Sequence, residues 1–188
     1  MRLLVLTDRH RCADLPATVA AAVAGGAPAV LFREKDLPPD ERRALGERVA
    51  DAAQGADLVV ASDPDLARHL GAGTVHLAAD DPWPDGVATG RSCHDAAELV
   101  DAAAHGAGYA TLSPIFPTAS KPGYGPALGP AALTDAPLPV LALGGVDPTN
   151  VAACLAAGAA GVAVMGGVMA APDPEAAVRA LLDAGAPA

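Results

Sequence analysis

The sequence has few aromatic residues, little positive charge and few cysteines, and each shortage excludes a class of protein. Aromatic residues make up 3% of the 188 residues and apolar residues 52%, so alanine, valine and leucine must build the core. The net charge of −10 argues against non-specific binding to nucleic acid or to an anionic membrane. Cys12, Cys93 and Cys154 are too few and too far apart for a disulfide framework or a metal site, which favours a reducing, cytoplasmic compartment.

The sequence also lacks a stretch that is typical of a transmembrane helix. Residues 15–32 and 148–172 are uncharged and long enough to be considered, but glycine and proline interrupt both of them. A helix, a turn and a strand explain each stretch. A chain of this length fits one domain with a substantial core, so we expect a single domain over residues 1–188.

Pairs of adjacent glycines follow two apolar runs near the end of the chain. The run at residues 140–143 ends at a pair that includes Gly145, and the run at residues 161–165 ends at Gly166 and Gly167. Glycine lets main-chain N–H groups approach an anion closely, and a helix that begins there adds partial positive charge. We therefore expect phosphate binding at these loops, with simple tight turns as the alternative.

Strands and helices alternate along the whole chain. The predicted strands are residues 2–6, 29–32, 57–61, 74–77, 86–89, 109–112, 140–143 and 161–165. The predicted helices are residues 17–24, 40–53, 64–70, 96–105, 150–157 and 173–183. Eight strands in such an alternation predict an α/β protein with a single (β/α)8 TIM barrel, and a doubly wound open sheet is the alternative.

Lysine occurs only twice, and both lysines follow predicted strands. Lys35 and Lys121 would then lie at the carboxyl end of the barrel, where active sites are built. Together with Arg33 they would form a cationic clamp suited to a diphosphate. Thr118 and Ser120 add hydroxyl donors in the loop that carries Lys121. The alternative is that both lysines are ordinary solvated side chains.

Two aspartates follow neighbouring predicted strands. Asp63 and Asp81 would meet at one edge of the barrel, where two carboxylates can share Mg²⁺ that keeps waters or phosphate oxygens as its other ligands. An equally good interpretation is structural, because the dipeptide Asp-Pro also occurs at Asp147 and Asp173 and is a common helix start. The pattern leaves both interpretations open.

Histidine supplies the candidate acid or base. His94 follows the fifth predicted strand and is a possible acid or base, although a structural role is as reasonable for a lone histidine. His76 lies inside the fourth predicted strand and is expected in the core. Cys93 has no activating partner apart from its neighbour, so we do not expect a catalytic thiol there.

Eight short motifs then point to a family. They are LTDR at 6–9, FREK at 32–35, SDPDLA at 62–67, VHLAADD at 75–81, GRSCH at 90–94, SPIFPTASK at 113–121, LGGV at 143–146 and VAVMGGV at 162–168. With these motifs in this order, the chain resembles the thiamine phosphate synthase and TenI family over nearly its whole length. The resemblance implies a (β/α)8 barrel and an enzyme of thiamine biosynthesis.

The resemblance implies a Mg²⁺-dependent synthase that joins hydroxymethylpyrimidine diphosphate to thiazole phosphate and releases pyrophosphate. It assigns Mg²⁺ to Asp63 and Asp81, the diphosphate to Arg33, Lys35 and Lys121, the pyrimidine to Ser92, and the thiazole phosphate to Thr118, Ser120, Gly145, Gly166 and Gly167. The partners would be these small molecules, without nucleic acid or membrane. Oligomeric state stays open, including a homo-oligomer.

Two departures keep alternatives open. Synthases typically have glutamine where this chain has Leu31 and asparagine where it has Ser62, and both changes remove polar groups from the pyrimidine half of the site. The segment GRSCH resembles TenI-type thiazole tautomerases, which are thought to use a histidine at the position of His94. A regulator that binds thiamine precursors without turnover is a further alternative. Asp63, Asp81 and the Arg-Glu-Lys segment favour the synthase.

Overall fold

Eight short parallel strands form a closed barrel. The structure, a computed structural model, describes residues 2–117 and 126–186. The strands are β1 (Leu3–Leu6), β2 (Ala29–Phe32), β3 (Asp57–Ala61), β4 (Thr74–Leu77), β5 (Ala88–Cys93), β6 (Tyr109–Leu112), β7 (Val140–Leu143) and β8 (Gly161–Val164). Each strand pairs with the next and β8 pairs with β1. The predicted barrel is confirmed, and the open sheet is excluded.

Helices surround the barrel on its outside. They are α1 (Leu15–Ala24), α2 (Pro39–Ala52), α3 (Pro64–His69), α4 (Ala96–Ala104), α5 (Val151–Ala156), α6 (Gly166–Met169) and α7 (Pro174–Ala184), with 3-10 turns at Arg9–Arg11 and Pro130–Leu133. The connection from β4 to β5, residues 78–87, is described throughout and contains no helix. Within it, Trp83 stacks on His105 with ring centroids 4.8 Å apart. The Arg91 guanidinium lies 4.5 Å from the centroid of the Trp83 ring.

The strand residues divide between two apolar layers, because successive side chains of a strand point to opposite faces. The layer inside the barrel contains Leu4, Leu6, Ala29, Leu31, Val59, Ala61, Tyr109, Leu141 and Ala163. The layer between barrel and helices contains, among others, Val5, Val30, Phe32, Val60, Val75 and Leu112. Leucine, valine and alanine fill most of both layers, as the composition predicts. Full burial of one leucine stabilises the fold by about 1.5–3 kcal/mol.

Aspartate begins four of the helices. The side chains of Asp14, Asp63, Asp95 and Asp173 each accept a hydrogen bond from the amide three residues further along. Such a cap satisfies an amide that has no partner within the helix and contributes about 1 kcal/mol. The four predicted helices that follow these aspartates therefore begin within two residues of their observed starts.

The predicted cap at Asp147 is wrong, although the helix itself was predicted at residues 150–157. Helix α5 begins at Val151, and its N-cap residue is Asn150. Asp147 instead accepts hydrogen bonds from the amide and the hydroxyl of Thr149, at 2.8 and 2.6 Å. Asp-Pro starts a turn at this position because the threonine hydroxyl competes for the carboxylate that would otherwise cap a helix.

The fifth strand lies further along the chain than predicted. The apolar run suggested residues 86–89, whereas β5 extends to Cys93 and contains Ser92, so His94 directly follows the strand. Pairing with both neighbours sets these limits, since Gly90 is opposite His76 of β4 and Tyr109 of β6. Glycine is required there, because a Cβ atom would lie 2.2 Å from the Tyr109 ring.

The short helix α6 was not predicted. It begins at Gly166, directly after β8, where the sequence suggested only a turn. Four residues are too few to show a helical period, so pattern alone does not reveal it. In the part of the chain that the structure describes, no helix is long and apolar enough to cross a membrane.

Candidate active site

The carboxyl ends of β1 and β2 are joined by hydrogen bonds that continue past the strands. The Thr7 amide donates to the Leu31 carbonyl at 3.0 Å, and the Arg33 amide donates to the Thr7 hydroxyl at 3.0 Å. Beyond them Arg33 and Lys35 are exposed, while Glu34 between them is buried. Arg33 and Lys35, which follow β2, therefore lie at the carboxyl end of the barrel, as expected.

A lysine, a serine and an aspartate from three successive loops meet at this end. Lys35 Nζ donates to Ser62 Oγ at 2.8 Å, and the Ser62 side chain lies beside the Asp81 carboxylate, whose pKa it helps to lower. The Ala78 amide donates to Asp81 at 2.7 Å. The strands that precede the three loops, β2, β3 and β4, are neighbours in the barrel, so the folded chain brings together residues far apart in sequence.

Asp81 is a carboxylate that stays ionised. Burial raises its pKa, but the hydrogen bonds from Ser62 and Ala78 lower it. The positive charges of Lys35 and Arg91 lower it further, so the pKa of Asp81 lies below its ordinary value. An ionised, half-buried carboxylate at the barrel mouth suits Mg²⁺, which takes few protein ligands and keeps water or phosphate oxygens.

Asp63 has other partners. One of its oxygens accepts from the Leu66 amide at 2.9 Å, and the other accepts from the Arg42 guanidinium at 3.1 Å. Arg42 also donates to the Ala61 carbonyl at 2.7 Å and is itself buried. A metal ion would have to share both oxygens with these donors. Within the described residues, no group of three or more His, Cys, Asp or Glu side chains is arranged to hold a metal.

Arg42 lies on α2, yet its side chain is buried. Its guanidinium carbon lies 5.9 Å from the centroid of the Phe32 ring. Burial lowers the pKa of Arg42, while the charges of Asp63 and Glu34 raise it. The spacing of charged residues in a helix does not reveal that one of them reaches beneath a neighbouring loop.

Polar side chains of β4, β5 and β6 meet in the interior of the barrel. His76 Nδ1 lies 3.0 Å from the Tyr109 hydroxyl, and its Nε2 lies 3.0 Å from Ser92 Oγ and 3.5 Å from Thr111 Oγ1. Burial, with the charge of Lys35, lowers the pKa of His76 to about 4, so the imidazole is neutral at physiological pH. His76 is in the core, as predicted, and it orients the predicted pyrimidine contact Ser92.

A cavity of about 250 Å³ adjoins Ser92. Arg91, Asp95 and Glu98 also line it, between the β4–β5 connection and α4. The acidic lining makes this cavity unsuited to a diphosphate, which prefers cationic partners.

His94 is paired with the first turn of α4. Its amide donates to Glu98 Oε2 at 2.7 Å, and its Nδ1 lies 3.1 Å from the same oxygen. The side chain is about one third exposed, 34% by area. This contact supports the structural role that we considered for His94 and leaves the catalytic role a prediction.

The loop after β7 owes its shape to glycine. Gly145 has φ +65°, and a Cβ atom there would lie 2.4 Å from the Pro117 carbonyl oxygen and 2.7 Å from Phe116 Cβ. The backbone of this loop is held by Asn150, whose side chain donates to the Gly145 carbonyl at 2.9 Å. Gly145 is therefore required by the close approach of the β6–β7 connection, whatever else it does.

The loop after β8 differs, because its glycines are not required by packing. A Cβ atom on Gly167 would meet no atom of the described residues within 4 Å, so open space adjoins that main chain. The Val168 and Met169 amides donate to the Met165 carbonyl within α6. The amides of Gly166 and Gly167 precede them and have no acceptor within the helix, so they are available to a ligand oxygen.

Arg11 lies beside this glycine pair, and the sequence analysis missed it. Its Nη1 is 3.6 Å from the position of a Cβ atom on Gly166, and its Nε pairs with Asp8 at 3.1 Å. Strand β1 is the neighbour of β8 in the closed barrel, which brings the loop after β1 to α6. Arg11 therefore lies next to Gly166 because the barrel is closed. The sequence rule that identified Lys35, a cation shortly after a strand, also applies to Arg11.

The residues of the β6–β7 loop and Leu31 complete the set of residues that the sequence singled out. Thr118, Ser120 and Lys121 lie outside the described residues. Leu31 lies inside the barrel among apolar side chains and is 1% exposed. Its position explains how leucine is accommodated there, since it completes the inner layer beside Leu6 and Ala61.

Comparison with known proteins agrees with the motifs. The family model of thiamine monophosphate synthase matches residues 3–168. A putative thiamine-phosphate synthase of Geobacter sulfurreducens is 39% identical over 96% of this chain and 92% of its own length. A thiamine-phosphate synthase of Roseiflexus castenholzii is 40% identical over 97% of this chain and 87% of its own length.

A solved structure supports the same relationship. The thiamine phosphate pyrophosphorylase from Pyrococcus furiosus superimposes with a TM-score of 0.87 at 27% identity, covering 97% of this chain and 94% of that one. The likeness therefore extends over the whole barrel, and the expectation from the eight motifs is confirmed. The chain belongs to the thiamine monophosphate synthase family.

Proposed function

We propose that this protein is a thiamine-phosphate synthase. It would join hydroxymethylpyrimidine diphosphate to thiazole phosphate, with release of pyrophosphate. The observation that carries the proposal is the contact of Lys35, Ser62 and Asp81 at the barrel mouth. A cation and an ionised carboxylate on either side of one hydroxyl suit a substrate that brings both a diphosphate and a divalent metal.

The reaction breaks the bond between the pyrimidine methylene carbon and a diphosphate oxygen, and the thiazole nitrogen then bonds to that carbon. Negative charge accumulates on the departing diphosphate, so donors placed around it lower the barrier. Arg33 and Lys35 stand where they would take up that charge, with Lys121 as a third predicted cation. Ser62 would orient Lys35 and Asp81 toward one another.

Mg²⁺, when bound, would neutralise charge on the leaving group. Asp81 fits this metal better than Asp63, because the oxygens of Asp63 already accept from Leu66 and Arg42. We therefore assign Asp81 as the ligand. For Asp63 a supporting role through its contacts with α2 and α3 is in better accord with its partners.

The thiazole phosphate would bind on the opposite side of the mouth. The amides of Gly166 and Gly167 and the guanidinium of Arg11 converge there. Amides and arginine are typical phosphate donors because they offer N–H groups without needing a proton transfer. Gly145 would shape the neighbouring loop, since it packs closely against Phe116 and Pro117.

The test is release of pyrophosphate by purified protein supplied with pyrimidine diphosphate, thiazole phosphate and Mg²⁺. We expect Mg²⁺-dependent release, with thiamine phosphate formed in equal amount. Asp81→Asn should lower the rate about a hundredfold or more, since it removes the charge that holds the metal. Asp65→Asn is the matched control, because Asp65 is exposed on α3 and pairs only with Arg68 among the described residues.

One outcome would contradict the proposed function, and another would contradict the assignment of Asp81 to the metal. One is absence of pyrophosphate release together with isomerisation of thiazole carboxylate phosphate, which would establish a tautomerase. The other is unchanged synthase activity in Asp81→Asn, which would remove Asp81 from the metal site.

A further inference from the structure

An arginine in the 3-10 turn after β1 holds the segment that carries Arg33 and Lys35. The Arg9 amide donates to both oxygens of Glu34, at 3.2 and 3.3 Å, and Arg9 Nη1 donates to Glu34 Oε2 at 3.2 Å. Arg9 Nη1 and Nη2 also donate to the two oxygens of Asp36 at 2.7 Å each. We refer to Arg9, Glu34 and Asp36 as the loop clip.

The loop clip combines a buried and an exposed contact. The Glu34 side chain is 3% exposed, whereas that of Asp36 is 57% exposed. A buried carboxylate that loses its partner pays a large desolvation penalty, while an exposed pair contributes little. The contact of Arg9 with Glu34 therefore matters most for the shape of the loop.

The position of Glu34 decides where its neighbours point. Glu34 is buried whereas Arg33 and Lys35 on either side of it are exposed, so an anchored Glu34 leaves both cations at the barrel mouth. Lys35 reaches Ser62 of the next loop from this position. Asp36, held by Arg9 on the far side of Lys35, fixes the segment at a second point.

We infer that Arg9 is a positioning residue for the diphosphate. It acts through Glu34 and Asp36, which hold Arg33 and Lys35 in the geometry that a diphosphate requires before the substrate arrives. Arg9 itself has its guanidinium committed to two carboxylates and would not contact the substrate. This inference rests on the proposed function, because it assigns a role within the same site.

Preorganisation explains why an arginine is used. Its planar guanidinium donates bidentately to Asp36 and still reaches Glu34, which a lysine cannot do with one ammonium group. If the loop became ordered only on binding, the protein would bind the diphosphate more weakly, because the entropy cost of ordering the loop would reduce the free energy of binding. Loss of Arg9 should therefore weaken binding of the pyrimidine diphosphate and leave binding of the thiazole phosphate unchanged.

The experiment measures KM for each substrate and kcat in Arg9→Ala and Arg9→Lys. We expect Arg9→Ala to raise KM for pyrimidine diphosphate about tenfold or more and to leave KM for thiazole phosphate within about twofold. Arg9→Lys should restore part of the loss. Arg179→Ala is the matched control, since Arg179 pairs with Glu175 on the outer helix α7, and both KM values should stay unchanged.

A combined variant separates positioning from general stability. If Arg9 acts through Arg33 and Lys35, adding Arg9→Ala to a variant with both Arg33→Ala and Lys35→Ala should raise KM for the diphosphate by less than about twofold further. An additive effect of Arg9→Ala in that variant would overturn the inference. So would an equal rise in KM for both substrates, which indicates a general loss of structure.

Amide hydrogen exchange keeps this test distinct from that of the proposed function. If the wild-type protein releases no pyrophosphate, the proposed function fails, and the loop clip is judged by exchange at residues 33–36 and by binding of inorganic pyrophosphate with Mg²⁺. We expect faster exchange and weaker pyrophosphate binding in Arg9→Ala than in Arg179→Ala. Equal exchange and equal binding in both variants would overturn the inference without reference to catalysis.

Discussion

The two sides of the barrel mouth offer different chemical groups, charged side chains on one side and mainly main-chain amides on the other. On the β1–β4 side, which comprises the loops after those four strands, charged side chains form a connected set through Lys35, Ser62 and Asp81. On the β7–β8 side, which comprises the loops after those two strands, glycine exposes main-chain amides, and Arg11 is the cation beside them. One side depends on side chains from several loops, and the other depends mainly on backbone shape.

The difference has a consequence for how each side tolerates change. A site made of side chains loses one interaction when one residue is replaced, and its neighbours persist. A site made of backbone fails when a residue can no longer adopt the required conformation, and it tolerates any replacement that keeps that conformation. A substitution on the first side should therefore remove one interaction, whereas a substitution on the second side should either disturb the backbone or have little effect.

The largest effect is expected for Gly145→Ala. A Cβ atom at φ +65° and 2.4 Å from the Pro117 carbonyl oxygen forces the loop after β7 to move. Backbone strain and the clash together should lower the free energy of unfolding by about 3 kcal/mol. Urea unfolding measures this loss, and KM for thiazole phosphate should rise with it.

Gly167→Ala is the matched control on the same side. A Cβ atom there meets open space among the described residues, so the free energy of unfolding should change by less than about 1 kcal/mol. A loss as large as that of Gly145→Ala would contradict the distinction between a glycine needed for packing and one that leaves room for a ligand.

Arg11→Ala should have the next largest effect, on substrate affinity. Loss of one charge-assisted hydrogen bond to the thiazole phosphate should raise its KM about tenfold or more, without changing KM for the pyrimidine diphosphate. Arg9→Ala should do the reverse, although both arginines belong to one 3-10 turn. Steady-state kinetics with each substrate varied would show the crossed pattern, and parallel changes would refute the division of the mouth into two sides.

A smaller effect concerns the neutral imidazole beneath the β1–β4 side. The unfolded chain binds a proton at His76 near its ordinary pKa of about 6.5, whereas the folded protein binds it only near pH 4. Between these values the unfolded state carries more protons, so stability rises with pH, by up to about 1.4 kcal/mol per pH unit for this group.

Replacement by asparagine removes that contribution. Urea unfolding of His76→Asn between pH 4 and 6.5 should show a shallower rise of stability with pH than the wild type, while above pH 7 the two curves should run parallel. Equal slopes below pH 6.5 would show that His76 titrates normally in the folded protein.

The smallest effect is expected for Ser62→Asn. Ser62 has φ +61°, a conformation that asparagine adopts more readily than serine does. The substitution should raise the free energy of unfolding by up to about 1 kcal/mol, measured by urea unfolding. A decrease would mean that the bridge from Lys35 to Asp81 through the Ser62 hydroxyl outweighs the backbone strain.

Apolar runs and glycine positions were enough to predict much of the barrel. Strands β2, β3, β4, β6 and β7 match their predicted limits, because each is a short, mostly apolar run with a polar, glycine or proline residue next to at least one end. Strand β5 did not follow that rule. Its residues Gly90, Arg91 and Ser92 are not apolar, and pairing with strands on both sides holds them in place.

The site was predicted less completely than the fold. The lysine and aspartate that follow β2 and β4 were identified because a cation or a carboxylate after a strand is informative in a barrel. Their connection through Ser62 was not, since it depends on a side-chain conformation. The pairing of Asp63 with Arg42 was also missed, because Arg42 approaches it from a separate helix.

The sequence by itself determined the alternation of strands and helices, the family, and which charged residues stand at the carboxyl ends of the strands. These features depend on local composition and on short motifs. Only the tertiary structure decided that Arg9 faces Glu34 while Arg11 faces Gly166. Closure of the barrel places β1 between β2 and β8, so one turn after β1 contacts both sides of the mouth, and no local pattern encodes that adjacency.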